Sequence, residues 1–484
     1  MSQACYSSED LRKSWNYAVE SDFHPISDPS LPLSTTVVGL NSSSRSILLT
    51  GPPEQKYNGS CVNYDGRRIA RSSGAKIYVF NVSTGTHTVL AGHLGDVESM
   101  CFVPHRTDRL VTSVSMDYDH SDQADPTKPE IIVWNLSDFE TTTPNEDPVN
   151  PDSLAGEALE AIRQTLKRHD AFELDNQECS TITSTLSTML ERFKTYRLVP
   201  PSSRLIGRIE DSFQSPIFNN AGTVLIYLPG PRPRSNGDHT WDIVLHPLDG
   251  REDIILKGHR DAIMWIGFSP NDTIVASVCW DGTIRVWDAV SGAEKWKYTT
   301  NKQNWAGVFS PDGKRFLATD GSGSVRVWDT DSGVEVGKYE KERSGWRRAV
   351  DWSPDGRWVA VGGEESGTIL LFDMAQETID GRLIPAQKHQ LCVHKADLEE
   401  DLKGMLASML SVHTVKFLPA SAGLVLVHMT YGSPGMEVVN LDTGGHLRIV
   451  PEDDSDAGFS WAYIEMSKEL MIISGDKVGY WSLP

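Results

Sequence analysis

Between Ile254 and Asp373 the chain says nearly the same thing three times: FSPNDTIVASVCWDGTIRVWDAVSG (268–292), FSPDGKRFLATDGSGSVRVWDTDSG (309–333) and WSPDGRWVAVGGEESGTILLFDMAQ (352–376). Counted from Phe268 to Phe309 the period is 41 residues. That length lies in the window of roughly 40–45 residues that one four-stranded blade occupies. A lone blade leaves both faces uncovered, so the repetition predicts a ring of such units.

Each repeat can be read strand by strand. Ile263, Trp265 and Phe268 belong to a first short strand, and the Ser269–Asp272 turn (SPDG at 310–313 and 353–356) reverses the chain. Proline presets φ at the second turn position, and glycine accepts the positive φ that follows. A β-branched run over Thr273–Ser277 comes next, then Asp281-Gly282 as a hairpin signal, then the alternating strand Thr283–Trp287. No helical period fits these segments, so the fold class is all-β.

The unit Lys257-Gly258-His259, Asp281-Gly282, Trp287-Asp288 resembles a complete repeat of the WD-repeat family of β-propellers. The resemblance implies that His259, Ser277, Asp281 and Trp287 form a buried hydrogen-bonded tetrad that is structural rather than catalytic. The two following units lack the Gly-His pair. Ala318 and Ser322 stand at the serine and aspartate positions of one, Gly362 and Ser366 at those of the other. Only the unit ending in Trp287 therefore reads as keeping the whole tetrad.

Weaker copies extend over most of the chain. Strands ending like Val79-Phe80-Asn81 recur near Phe80, Trp134, His246, Trp287, Trp328, Phe372, Asn440 and Trp481. This gives eight blades, with seven as the alternative because the unit running from Leu205 to Gly250 is degenerate. Ser46–Thr50 would then supply the outer strand of the last blade and close the ring. The implied organisation is a helical or irregular extension over 1–34, blades and the closing strand over 35–137, an insertion over 138–202, and the remaining blades over 203–484.

The insertions carry the helical signal. Residues 138–202 begin acidic and proline-rich and continue as two amphipathic patterns, Ser153–His169 and Thr181–Tyr196, with cap chemistry at Asn176–Ser180. They read as a helical hairpin on the rim that docks a partner or packs on its own propeller. A shorter amphipathic helix is expected at about 395–410, with Leu398, Leu402, Met405, Leu406 and Met409 on one face, and another at Ser8–Glu20.

Composition narrows the function. The formal net charge is −21, which disfavours nucleic acid or an anionic membrane surface as a partner and suits basic protein segments. No apolar run approaches the roughly 20 residues that cross a bilayer, and Met1–Glu20 has no secretory apolar core. The six cysteines are scattered without metal-binding spacing, so reduced thiols, no metal and a cytoplasmic or nuclear location are expected. No phosphate loop, nucleophile elbow or HExxH motif is present, and no cofactor is expected.

What the resemblance implies about a binding surface is more specific. Residues at the start of the inner strand and just before the turn aspartate line one rim of the channel in this family. Here these are Met264, Trp265, Asn304, Trp305, Trp346, Arg347, Arg348, His413 and Trp280. Tryptophan and arginine are enriched at energetic hot spots. The leading reading is a noncatalytic scaffold that binds proteins or peptides in a multiprotein assembly. The alternatives are a substrate receptor of a ubiquitin ligase, although Val290 and Asp331 stand where that variant carries arginine, and a propeller enzyme or small-ligand binder using the channel.

Overall fold

The computed structural model describes residues 23–26, 35–39, 45–49, 59–114, 129–137, 159–160, 177–183, 203–210, 214–230, 241–340, 346–363, 368–375, 381–393, 412–420, 423–430, 436–441, 446–450 and 460–483. Among these residues the strands form seven sheets. The repeat seen in the sequence is one four-stranded antiparallel meander, as in Ile263–Phe268, Ile274–Cys279, Thr283–Asp288 and Glu294–Thr299. The two innermost strands are buried at every position, whereas the outermost is mostly exposed. This gradient explains the near-continuous apolar runs of the inner strands, which have neighbours on both faces.

The first strands of successive sheets lie side by side, Ile263–Phe268 by Asn304–Phe309, then Ala349–Trp352, then Val412–Ala420. Ser460–Ile464, Gly59–Val62 and Ser99–Phe102 lie side by side in the same way. The buried apolar side chains of the described residues gather in eight clusters, each drawn chiefly from two successive units. Together these make a β-propeller.

All eight strand-end positions read from the sequence lie on strands. One sheet is longer than a blade: it runs from Ser99–Phe102 to Ile254–Leu256 and holds seven strands. Its midpoint is a two-residue junction, where Gly207 and Arg208 face Pro229 and Leu228. Dividing the sheet there gives eight units, and keeping it whole gives seven. The strand Ser203–Arg208, expected to open the degenerate unit, instead pairs Ile131 through Leu205 as the outer strand of the preceding one. The degenerate unit starts at Phe218, which bridges to Leu225.

The amino-terminal strands are distributed over three sheets. Arg45–Leu48 runs antiparallel to Lys477–Ser482, so residues from both ends of the chain share one sheet. Thr35–Gly39 lies parallel to His446–Val450 as a fifth strand of the 412–450 sheet. Phe23–Ile26 lies antiparallel to Gln387–Val393 as a fifth strand of the next sheet back. A strand thus occurs within the 1–34 extension that was expected to be helical or irregular. Its local sequence, FHPI, follows no helical period, and the sheet edge supplies the partner.

The helices at Ser8–Glu20 and 395–410 lie outside the described residues, as does most of 138–202. Within the insertion, 159–160 and 177–183 are helical. The second stretch covers part of the expected cap, with the Thr181 and Thr183 hydroxyls donating to the carbonyls of Gln177 and Cys179, four residues back. Threonine back-bonding of this kind satisfies its hydroxyl within a helix.

The reversing turns follow their composition. Gly313 and Gly356 take positive φ, 70° and 76°, and their N–H groups close the turn on Ser310 and Ser353. The equivalent position in the first repeat is Asp272, with φ of 58°. Its carboxylate accepts from Asn219 Nδ2, from the Asn220 amide and Nδ2, and from the Ala221 amide, at 2.7–3.0 Å. These bonds to the neighbouring unit compensate for a conformation that non-glycine residues disfavour.

Candidate partner-binding rim and the buried tetrads

His259, Ser277, Asp281 and Trp287 meet inside their sheet. The Trp287 indole N–H donates to Ser277 Oγ at 3.0 Å. Ser277 Oγ lies 2.7 Å from His259 Nε2, and His259 Nδ1 lies 2.9 Å from Asp281 Oδ2. The bonds form a consistent chain for a neutral imidazole: Trp287 donates to Ser277, Ser277 to Nε2, and Nδ1–H to the carboxylate. Burial lowers the pKa of His259 and outweighs the pull of Asp281 in the other direction. Burial alone would raise Asp281, but the bonds from His259 and Thr283 win and hold its carboxyl well below the usual range. No step of catalysis is apparent in such an arrangement, because every reactive atom is engaged within the core.

A second set has the same wiring. Trp134 Nε1 donates to Thr112 Oγ1 at 2.8 Å, Thr112 Oγ1 lies 2.7 Å from His93 Nε2, and His93 Nδ1 lies 3.0 Å from Glu130 Oε1. The expectation of a single tetrad is therefore corrected. Threonine replaces serine, and the carboxylate comes from Glu130 on the third strand instead of from a turn aspartate. An arginine clasps each set from outside. Arg285 donates to the Gly258 carbonyl and pairs with Glu294, while Arg204 donates to the Gly92 carbonyl and pairs with Glu130.

The rim cluster is assembled from three consecutive repeats. Trp280 directly follows the second strand of one sheet, Trp305 is the second residue of the first strand of the next, and Trp346 precedes the first strand of the third. Antiparallel pairing puts strand end and strand start at the same end of each unit. The Trp280 and Trp305 rings meet edge-on with centroids 5.2 Å apart, and Trp305 and Trp346 stack at 4.9 Å. The Arg348 guanidinium lies over both Trp305 and Trp346, 4.5 and 4.6 Å from their centroids.

Burial grades across this cluster. Trp305 is 4% exposed and Trp346 is 38% exposed, with Trp280 and Arg348 between them. The Trp280 indole N–H is buried with no hydrogen-bond partner among the described residues. Asn304, fully buried, anchors the start of the Trp305 strand by donating to the carbonyls of Cys279 and Thr283. Gly363 makes room for Trp346: a Cβ there would lie 2.1 Å from the Trp346 carbonyl oxygen.

The family described as "WD domain, G-beta repeat" matches the chain at residues 250–288, 304–329 and 337–373. Residues 250–373 thus carry WD repeats. The chain is also similar to human striatin-4, 37% identical over 62 residues that cover 11% of this chain and 8% of striatin-4. Mouse striatin-4 is 38% identical over 60 residues, again 11% and 8% of the two chains. The chain thus spans less than a tenth of the length of the curated relatives it matches.

The placement of the remaining rim residues divides the expected surface of these WD repeats. Met264 is buried among Ile226, Trp241 and Trp305, and Trp265 is buried against Phe309 and Phe316. Both serve the contacts between units, so neither presents a surface. Arg347 is 1% exposed and donates through Nε to the Gly323 carbonyl, which makes it a packing residue as well. His413 falls on the strand Val412–Ala420, and its side chain lies outside the described residues. Trp280, Trp305, Trp346 and Arg348 are the ones brought together.

One residue with no sequence signal sits inside the ring. Gln214 Nε2 donates to the Val415 carbonyl at 2.7 Å, and the Val415 amide donates to Gln214 Oε1 at 3.4 Å. Next to it, Ser215 Oγ donates to the Ile266 carbonyl and accepts from the Ile266 amide. Along the chain three sheets separate Gln214 from Val415, so this segment spans the interior. A glutamine between Phe213 and Ser215 carries no periodicity or motif from which this could have been read.

Proposed function

We propose that this protein is a noncatalytic scaffold on an eight-bladed ring, binding a basic or apolar peptide segment of a partner at the Trp280–Trp305–Trp346–Arg348 rim. The observation that carries the reading is the contiguity of three indoles from three consecutive repeats, graded from buried Trp305 to half-open Trp346. A buried aromatic anchor with an exposed edge is how hot spots are built. The eight apolar clusters between successive units support the eight-blade count. The net charge of −21 favours basic partner segments. Gln214 and Ser215 fill part of the interior, which favours binding on the rim over chemistry in the channel.

Among the described residues no helix is long and apolar enough to cross a membrane. The test is affinity purification of tagged protein from its native host, comparing wild type with Trp346→Ala and Arg348→Ala variants whose unfolding midpoints match wild type. Loss of a stoichiometric partner in the variants supports the rim as the docking face. A partner retained by both variants, or a protein recovered alone at monomer size, refutes it.

A further inference from the structure

We propose that the outer edges of strands Gln387–Val393 and His446–Val450 form a strand-accepting surface. Phe23–Ile26 and Thr35–Gly39 of this chain occupy it as a resident strap, and an extended segment of a partner protein exchanges with them. Both sheets already hold four strands of their own, so Phe23–Ile26 and Thr35–Gly39 are fifth strands. The ring is closed by Arg45–Leu48, which supplies the missing fourth strand of the 460–482 sheet. Removing the two fifth strands leaves both of these sheets with four strands each.

The strap is also weakly held by its own chemistry. Its two pairings cover only four and five residues. Pro25, opposite Leu391, has no N–H to give to the ladder, and proline in a sheet belongs at edges for that reason. Thr35–Gly39 pairs in parallel, while every other named strand pair among the described residues is antiparallel. Parallel pairing is slightly less stable per residue. Pro29 and Pro32 in the connecting sequence further discourage continuous strand.

The chemistry of the site defines the replacement. An uncovered sheet edge offers a row of backbone donors and acceptors that recruits any extended chain. Affinity in such strand addition comes from main-chain hydrogen bonds, and side chains tune it. The resident run Thr35-Thr36-Val37-Val38 is β-branched throughout, the composition that favours strand. A partner taking its place therefore brings a short β-branched segment, antiparallel on Gln387–Val393 or parallel on His446–Val450. Tethering keeps the resident at an effective concentration in the millimolar range, so free exchange requires that the strap first lift.

Two measurements decide this. In the full chain, amide hydrogen exchange at 23–26 and 35–39 should run about a hundredfold faster than at 45–48 and 283–288, reflecting local opening without loss of the ring. Equal rates would mean that the strap opens only with the whole fold and would overturn the proposal. The second uses a variant lacking residues 1–42 and a fluorescent peptide of residues 20–42. Saturable binding to the truncated protein, at least about tenfold weaker to the full chain because of its tethered competitor, supports exchange. A folded truncated protein that ignores the peptide overturns it, as does a truncated protein that fails to fold.

Discussion

Gln214 and Val415 exchange hydrogen bonds across the inside of the ring, one side-chain amide meeting both the carbonyl and the amide of a single inner-strand residue. The bond ties together two units that are remote along the ring. Gln214→Ala should destabilise the protein by about 1–3 kcal/mol, because Val415 loses both partners in a buried setting. The urea midpoint of unfolding measures it. Gln214→Asn, one methylene too short to span the gap, should behave like alanine.

The two tetrads predict an asymmetric response to small changes. Ser277→Ala and Thr112→Val each leave an indole N–H and an imidazole nitrogen without partners, and each should cost about 1–3 kcal/mol. Ala318→Ser, which restores the family residue in a repeat that lacks the histidine, should bring no gain. Denaturant unfolding of the three variants checks this in one experiment.

Acid should destabilise the protein through these same groups. His93 and His259 are held neutral, in both cases because burial outweighs the neighbouring carboxylate. An unfolded histidine titrates near about 6.5, so below that pH the unfolded chain binds protons that the folded chain refuses. Stability then falls as pH drops from that value toward the lower folded values. Asp281, whose folded pKa is depressed, contributes stability present above the ordinary carboxylate range and lost as pH falls further. The urea midpoint should be flat between pH 7 and 8 and decline below about 6.5. A His93→Gln, His259→Gln double variant should be less stable at pH 7 yet show a shallower decline.

The rim residues should separate into two kinds. Trp305→Ala opens a cavity at a buried position and should destabilise by about 3–5 kcal/mol. Trp346→Ala and Arg348→Ala should change stability far less and act on partner capture. Gly363→Ala joins the two effects, since its Cβ would displace the Trp346 carbonyl. A variant set measured by thermal unfolding and by partner recovery would show whether stability and capture move independently.

The extent to which this molecule could be read from sequence follows from how local each determinant is. SPDG turns and Trp287-like strand ends are local, and all eight strand-end positions lie on strands. The Trp280, Trp305 and Trp346 positions followed from family resemblance, and their contact depends on the repeat length that brings successive units into register. Arg347 and Met264 misled because residue type does not reveal which side of the chain faces the next unit. The second tetrad was hidden because its carboxylate, Glu130, stands on the third strand instead of at the turn position where the family's aspartate belongs. Gln214, Phe23–Ile26 and Thr35–Gly39 were illegible for a simpler reason: their partners are supplied by distant chain.

The pairing of Arg45 with Tyr480 has a consequence for biogenesis. During translation the early strand Arg45–Leu48 waits for residues 477–482 before its sheet can exist. At about 5–20 residues per second the interval is about 20 to 90 seconds. Throughout that time the nascent chain is an open arc whose two terminal blades each lack a neighbour on one face. Slowing elongation would lengthen this exposure without altering a single contact of the finished ring.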